Sequence, residues 1–296
     1  MNRSKAWVRF RRHRLALIAL VILLIELATA AAAPLGMSDL ALRPHPTQML
    51  QAASSAHLLG TDEAGRDVLA RLIFAGRISL TIGFLTAVLS VTAGTALGAA
   101  AGYYGGWIDA LLMRFTDAML SVPILFVLIA LAVFFGPNVG TLIVVIGALS
   151  WMDLARIIRA NFLSLREKEF VLSARVVGSR DLAIIVHHVL PNTLAPIIVA
   201  STLGVGSAML SEAALSYLGL GVQPPTPSWG NMLNNAQSYF FNAPALGIFP
   251  GVMILVTVLV INFLGEGLRD SLDPRDRLLP ESTVPRAAPR SHRSGR

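Results

Sequence analysis

The sequence predicts an all-α membrane protein with six transmembrane helices, and three observations support this fold class. Of the 296 residues, 54% are hydrophobic and only 14% are charged, and the mean hydropathy is +0.65. Six apolar runs each approach the roughly 20 residues that an α-helix needs to cross a bilayer. Basic residues cluster on one side of these runs. This composition lies outside the soluble globular class.

The predicted spans follow one another with loops that differ strongly in charge. In chain order they cover residues 15–35, 79–102, 118–135, 142–158, 193–218 and 248–268. An even number of spans places both termini on the same side of the membrane. The predicted organisation is therefore a basic N-terminus (1–14), a transmembrane domain (15–278) with a cytoplasmic loop (159–192), and a Pro-, Ser- and Arg-rich tail (279–296) predicted to be disordered.

The first span has two interpretations. An arginine-rich start, an apolar run and the small residues 28–31 are also typical of a cleaved signal peptide. The apolar run is longer than the about 7–15 residues of a signal peptide, which favours a retained helix.

Basic side chains predict which side of the membrane each loop occupies. One side carries the basic residues of 3–14, Arg114, the cluster at 156–180 and the cluster at 269–296, whereas the other side carries only Arg43, Arg66, Arg71 and Arg77. The positive-inside rule therefore places both termini and the loop 159–192 in the cytoplasm. The same asymmetry accounts for the net charge of +7, so the basic composition does not indicate nucleic-acid binding.

The segment 167–192, EKEFVLSARVVGSRDLAIIVHHVLPN, is a charged island between spans four and five. Phe170, Ala174 and Val177 recur at helical spacing, which predicts a surface helix with these side chains on one face. Gly178 suits a helix end, and Pro191 is expected to stop helix propagation where the next apolar run begins.

This segment resembles the EAA loop of ABC-importer permeases, a cytoplasmic helix that seats in a groove of an ATPase. The matching positions are Ala174, Gly178, Leu190 and Pro191, whereas Leu172-Ser173 stands in place of Glu-Ala and His188 in place of an aliphatic residue. The resemblance implies an ATPase-docking surface. Its predicted residues are Phe170, Ala174, Arg175, Gly178, Leu190 and Pro191.

Four further stretches resemble the C-type permease subunit of peptide and nickel importers. They are HLLGTDEAGRDVLARLIFAGRISL (57–80), GYYGGWIDALLMRFTDAMLSVP (102–123), SEAALSYLGLGVQPPTPSWGNML (211–233) and NFLGEGLRDSLDPR (262–275). The resemblance implies a type I ABC importer permease (MetI-like) architecture. From His57 to Arg275 the chain is similar to members of this family.

These stretches also have interpretations from their residues alone. Asp62, Arg66 and Asp67 are expected to pair in a loop that folds against the outer end of the bundle or contacts a partner. Asp109, Arg114 and Asp117 are expected to pair locally at the inner boundary. Pro224 and Pro225 stiffen an outer loop, and Trp229 either anchors this loop at the interface or joins the two prolines in contacting a delivered protein.

Carboxyl groups inside the spans are rare, since a charged group facing lipid costs at least about 2.5–3.5 kcal/mol. Glu26, Asp153, Glu212 and Glu266 are the intramembrane carboxyl groups. Glu212 is predicted to face the transport pathway. Glu26 and Glu266 lie near span ends and are expected to reach the interface.

Several kinds of site have no residues to form them. The chain has no cysteine, and its only lysines, Lys5 and Lys168, do not follow glycine, so a phosphate-binding loop is excluded. The six histidines form no predicted metal site, and no serine has a histidine and a carboxylate at a recognisable catalytic spacing. The sequence therefore predicts no catalytic residue, no metal ligand and no cofactor on this chain.

The resemblance implies the permease of an ATP-driven peptide importer in the bacterial cytoplasmic (inner) membrane. Its implied partners are a homologous permease subunit in a heterodimer, two ATPase subunits that bind ATP and Mg, and an extracytoplasmic substrate-binding protein. Membrane lipid surrounds the spans. Nickel, opine or glutathione import is the alternative within the class. An ion-coupled secondary transporter is the alternative outside it, for which inverted repeats are expected and none is evident.

Overall fold

A computed structural model of the chain describes residues 10, 11 and 13–272, and in this part every regular element is helical. The predicted tail 279–296 and most of the basic N-terminus lie outside the described residues. The helices are α1 (Arg14–Gly36), α2 (Ser38–Leu42), α3 (Val68–Tyr104), α4 (Gly106–Leu120), α5 (Ile124–Phe135), α6 (Val139–Leu149), α7 (Met152–Leu165), α8 (Glu169–Val176), α9 (Asp181–Ile184), α10 (Leu190–Tyr217), α11 (Trp229–Ala236) and α12 (Ala245–Leu272).

Up to six membrane spans fit these helices by length and composition. Four are continuous helical segments, Arg14–Gly36, Val68–Tyr104, Asp181–Tyr217 and Ala245–Leu272, and two are bent pairs, α4 with α5 and α6 with α7. The all-helical class agrees with the sequence prediction, and the count of six agrees with it if each bent pair forms one span. We call the end of the bundle that carries α8 the inner end and the end that carries α11 the outer end, after the predicted orientation.

The predicted third span is wrong in shape. Residues 118–135 do not form one straight helix, because the chain bends by 83° between α4 and α5. Pro123 is the N-cap of α5, and a proline cannot continue the hydrogen-bond pattern of the preceding helix. With 12 residues, α5 is only about 18 Å long and needs α4 to complete a span. The predicted fourth span likewise crosses a 40° bend, between α6 and α7.

Helix α3 is the central element and begins earlier than predicted. It starts at Val68 instead of residue 79 because the Asp67 carboxylate accepts a hydrogen bond from the Ala70 N–H (2.8 Å) and so caps the helix. Its 37 residues extend for roughly 55 Å, well beyond the about 30 Å of a hydrocarbon core. Helices α1, α6, α7 and α10 pack along it.

Glycines on α3 allow unusually close contact with α7. A Cβ atom on Gly94 would lie 2.8 Å from the Trp151 carbonyl oxygen, and one on Gly98 would lie 2.5 Å from the Ala155 carbonyl oxygen. Gly102 faces the next turn of α7, where a Cβ would lie 2.7 Å from a carbonyl oxygen. The three glycines recur every four residues, as in the small-residue interfaces of membrane helices. The inner half of α3 therefore lies directly against the α7 backbone.

Helix α1 packs on α12 and buries a carboxyl group there. Glu26 is buried, and its two oxygens lie 3.1 Å from the Thr257 hydroxyl. The prediction that Glu26 reaches the interface is therefore wrong, because α12 covers this face of α1. Glu266 is exposed, and its position at the interface stays a prediction.

Candidate functional site

The inner end carries α8, and the sequence determines where this helix ends. The Ser179 N–H bonds to the Ala174 carbonyl (3.0 Å) and the Gly178 N–H to the Arg175 carbonyl (2.9 Å). Gly178 has a φ of +83°. This is a left-handed C-terminal cap, which glycine adopts without a Cβ penalty. The prediction that Gly178 ends the helix is confirmed.

The faces of α8 differ from the predicted ones. Val171 is fully buried and Ala174 is only 9% exposed, and both pack into an apolar cluster with Ile158, Phe162 and Ile184. Ala174 therefore does not share an outward face with Phe170 and Val177. The prediction used spacing alone, and spacing shows which residues share a face but not which face is covered.

The outward surface of α8 and the turn after it is apolar. Val176 and Val177 are 88% and 84% exposed, and Leu182 is 70% exposed. Glu169, Leu172, Ser173, Val176 and Val177 line a shallow depression on this surface. Phe170 lies beside it, partly exposed. We call the exposed apolar side chains Phe170, Leu172, Val176, Val177 and Leu182 the inner apolar patch.

Polar contacts hold α8 and α9 to the inner end of α3. The Tyr103 hydroxyl donates to an Asp181 carboxylate oxygen (2.7 Å), and the Arg175 guanidinium carbon lies 5.2 Å from the centre of the Tyr103 ring. At this distance the cation is attracted by the face of the ring. Arg175, predicted to contact a partner, therefore anchors α8 from within the chain. Sequence reasoning missed Tyr103 and Asp181, which are separated by 78 residues.

The last two predicted docking residues lie where α10 begins. Leu190 is partly buried and Pro191 is exposed. Pro191 does not stop helix propagation: a π-helical segment, Ile185–Val189, joins α9 to α10, so Asp181–Tyr217 is continuous. Pro191 directly follows the π-helical segment, in which the Leu190 N–H bonds to the Ile185 carbonyl, so the hydrogen-bond pattern has already shifted where the proline lacks an N–H.

Ion pairs join α4 to α7 beside this region. Arg159 pairs with both carboxylate oxygens of Asp109, with Nη2 2.6 Å from Oδ2, and Arg156 pairs with Asp117. The prediction that Asp109 and Asp117 pair locally with Arg114 is therefore wrong. The partners lie on α7, not on α4 as a local pairing with Arg114 would require.

At the outer end, the loop before α3 is closed by buried charges. One Asp62 oxygen lies 2.7 Å from Arg66 Nε and 3.1 Å from Arg71 Nε, and Arg66 also pairs with Glu63 (2.8 Å). Asp67 does not join this cluster as predicted, because it caps α3 and pairs with His57 (2.9 Å). The loop folds against the bundle.

Glu212 lies in the core at the outer end, with an exposed fraction of 1%. Its Oε1 accepts from the Ser216 hydroxyl (2.6 Å) and its Oε2 from the Ser79 hydroxyl (3.2 Å). The prediction that Glu212 faces the transport pathway does not match this conformation, because α3 and the outer loop cover the carboxylate. Sequence reasoning missed both serines: Ser79 is 133 residues from Glu212 in the chain, whereas Ser216 lies only four residues away, a helical spacing that could have identified it.

Trp229 is also buried, with an exposed fraction of 1%. Its backbone N–H donates to Ser79 Oγ (3.2 Å), its indole N–H donates to the Leu72 carbonyl (2.9 Å), and its ring packs over Gly76. The predicted roles of Trp229 as an interfacial anchor or a partner contact are therefore corrected. Pro224 and Pro225 are exposed in the outer loop.

Comparisons with known proteins agree on one family. Residues 94–277 match the model described as "Binding-protein-dependent transport system inner membrane component", and residues 3–52 match "N-terminal TM domain of oligopeptide transport permease C". The dipeptide transport system permease protein DppC of Alkalihalophilus pseudofirmus is 41% identical over 92% of this chain and 89% of its own length.

Other relatives extend the similarity. The oligopeptide transport system permease protein OppC of Haemophilus influenzae is 41% identical over 91% of this chain and 87% of its own length. The glutathione transport system permease protein GsiD of Pectobacterium atrosepticum is 38% identical, covering 91% of this chain and 90% of its own. Among solved structures, a chain of the inward-facing MetNI methionine ABC transporter has a TM-score of 0.56 at 17% identity, covering 70% of this chain and 97% of that one. This last likeness shows a shared fold.

Proposed function

The chain belongs to the family of binding-protein-dependent transport system inner membrane components, and from this premise we propose that it forms the translocation path of an ATP-driven peptide importer together with a homologous permease subunit. Members of this family are multi-pass, non-catalytic permease subunits of ABC transporters. ATP and Mg bind to two separate ATPase subunits. Peptide cargo is supported by three relatives, which are permease proteins of a dipeptide, an oligopeptide and a glutathione transport system.

The inner apolar patch on α8, a helix that is capped by Gly178 and anchored by Arg175, supports this proposal most directly. Exposed valine and leucine side chains at a polar end of a membrane protein are unfavourable in water, so a partner surface is expected to cover them. The patch contains Leu172, Val176, Val177 and Leu182 in addition to Phe170. We assign it to ATPase docking, with Ala174 and Arg175 as anchors behind it and Gly178, Leu190 and Pro191 setting the path of the chain.

The contacts behind the patch provide a route for motion. Val171 and Ala174 lie in one apolar cluster with Ile158 and Phe162 of α7, and Arg175 and Asp181 hold Tyr103 of α3. Because α3 and α7 are in close backbone contact through their glycine interface, a displacement of α8 moves both helices together. ATP binding then switches the permease between outward- and inward-facing states, provided that the docked ATPases stabilise one of these two states more than the other.

The remaining parts of the proposal concern orientation and the other partners. Both termini and α8 lie in the cytoplasm, as the basic-residue asymmetry supports. The membrane is the bacterial inner membrane, as the description of the matched family as an inner membrane component supports. The outer loop with Pro224 and Pro225 faces an extracytoplasmic substrate-binding protein. Lipid contacts the exposed apolar faces of the spans.

Transport by the reconstituted complex tests the proposal. The chain is coexpressed with its partner permease and ATPases, reconstituted in proteoliposomes, and supplied with binding protein and either radiolabelled dipeptide or ⁶³Ni²⁺. We expect dipeptide uptake that requires both ATP and binding protein. Uptake of Ni²⁺ without dipeptide uptake, or uptake that proceeds without ATP, would refute it.

A further inference from the structure

The buried Glu212 carboxylate joins three parts of the chain at the outer end. Glu212 and Ser216 belong to α10, and Ser79 belongs to α3. The hydroxyl oxygens of both serines accept hydrogen bonds from residues 219–231, which we call the outer segment. We propose that Glu212 is a positioning residue: it sets the place of the outer segment that receives the binding protein, and it does so by orienting the hydroxyls of Ser79 and Ser216. This inference rests on the proposed function.

The direction of the hydrogen bonds supports this role. A carboxylate only accepts hydrogen bonds, so the Ser79 and Ser216 hydroxyls both turn their hydrogens toward Glu212. Their oxygens are then free to accept from the backbone. Ser79 Oγ accepts from the Trp229 N–H (3.2 Å), and Ser216 Oγ accepts from the Val222 N–H (3.1 Å). One acidic group thus orders two contacts that fasten the outer segment to the bundle.

The shape of the outer segment is maintained separately. The Asn231 amide donates to the carbonyls of Val222 (3.0 Å) and Thr226 (2.8 Å), and Ser228 and Asn231 cap α11 reciprocally. These bonds close the loop on itself. The bonds from Val222 and Trp229 to the two serines fasten the loop to α10 and α3. A change at Glu212 is therefore expected to displace the loop as a unit without unfolding it.

The exposed part of this loop is the part that a partner can contact. Gln223, Pro224 and Pro225 are exposed, whereas the residues that follow, Ser228 and Trp229, are buried in the bundle. Gly230 lies so close to α10 that a Cβ there would be 2.7 Å from Ser216 Cβ. With the buried end seated this closely, a rearrangement of the serines at its base moves the exposed prolines.

Glu212→Gln tests the inference because it keeps the size of the side chain and replaces one acceptor oxygen by an NH₂ donor. One of the two serines then faces a donor, its hydroxyl must reverse, and its oxygen no longer accepts well from the outer segment. ATP hydrolysis by the full reconstituted complex is measured against binding-protein concentration. We expect the half-saturating concentration to rise about tenfold, equivalent to about 1.4 kcal/mol, with hydrolysis approaching the wild-type level at saturation.

Two variants and one spectroscopic measurement complete the test. Glu266→Gln is the matched control, because it makes the same change on an exposed face of α12, and its curve should overlay the wild type. Ser79→Ala removes one of the two fastening oxygens and should shift the curve in the same direction, which covers the case in which Glu212→Gln fails to assemble. A nitroxide on Pro225→Cys in this cysteine-free chain should give narrower lines, reporting greater mobility, when Glu212→Gln is added.

The outcomes separate the inference from the proposed function. If the variants lower only the yield and thermal stability of the complex, while assembled complexes keep the wild-type half-saturation and nitroxide line shape, Glu212 is a structural residue and the inference is wrong. A wild-type complex that does not respond to binding protein at all would refute the proposed function and this inference with it. A responsive wild type with an unshifted Glu212→Gln curve would refute the inference alone.

Discussion

Replacing Gly98 by alanine tests whether the inner half of α3 and α7 move as one unit. The new Cβ would lie 2.5 Å from the Ala155 carbonyl oxygen and 2.9 Å from Ile158 Cβ, whereas ordinary contacts begin at 3.4 Å. The helices must therefore separate by about 0.9 Å at this point. Ala155 and Ile158 are fully buried, so they have no free space into which to retreat.

The expected magnitude follows from two opposing terms. Alanine is favoured over glycine in a helix by up to about 1 kcal/mol, while overpacking a close contact costs about 1–3 kcal/mol. The matched control is Gly204→Ala in α10, because a Cβ there meets nothing within 4 Å. In Gly204→Ala only the favourable helix propensity of alanine contributes. The difference in the free energy of unfolding between the two variants therefore gives the cost of overpacking at Gly98, which we expect to be about 1–3 kcal/mol.

The assay is SDS titration of the purified chain in mixed micelles, which gives the free energy of unfolding of each variant. We expect Gly98→Ala to be less stable than Gly204→Ala by the amount above, and its reconstituted complex to lose coupling between ATP hydrolysis and uptake. Equal stability of the two alanine variants would refute the close contact. Full coupling in a destabilised Gly98→Ala complex would refute its role in transmitting motion.

Three further predictions concern the inner end and the orientation of the chain. Gly178→Val should weaken ATPase copurification or uncouple hydrolysis from uptake, because a left-handed φ costs an ordinary residue about 1–2 kcal/mol. Gly178→Asn is the control, since asparagine tolerates this conformation. Wild-type uptake by the valine variant would contradict the assignment of the Gly178 cap to ATPase docking. Tyr103→Phe removes the hydrogen bond to Asp181 and should cost about 1.5–3 kcal/mol of stability in the same titration; an unchanged unfolding curve would show that this bond does not hold α9 to α3. Single cysteines at Ser179 and Gln223 should react with a membrane-impermeant maleimide from opposite sides, Ser179 only from the cytoplasm, and labelling of both from outside would overturn the orientation.

Local features of the fold could be predicted because their causes lie within a few residues. Apolar runs of the right length correspond to spans or bent spans. The end of α8 at Gly178 could be predicted because it depends on only a few backbone hydrogen bonds and one φ value. The glycine interface also has a local signal, because Gly94, Gly98 and Gly102 recur every fourth residue. The bend at Pro123 had a local signal as well, in the proline itself.

Amino-acid sequence alone determined that this chain is an all-helical membrane protein, which end of each span carries the basic residues, and which family it resembles. Hydropathy, charge and motif spacing are properties of consecutive residues, so they can be read without coordinates. Only the tertiary structure decided which polar atoms meet. Ser79 reaches Glu212 across 133 residues, and the Trp229 indole reaches the Leu72 carbonyl across 157. Because such partners are chosen by how distant helices pack, Glu212 and Trp229 lie in the core and not at the surfaces that their positions in the sequence predicted.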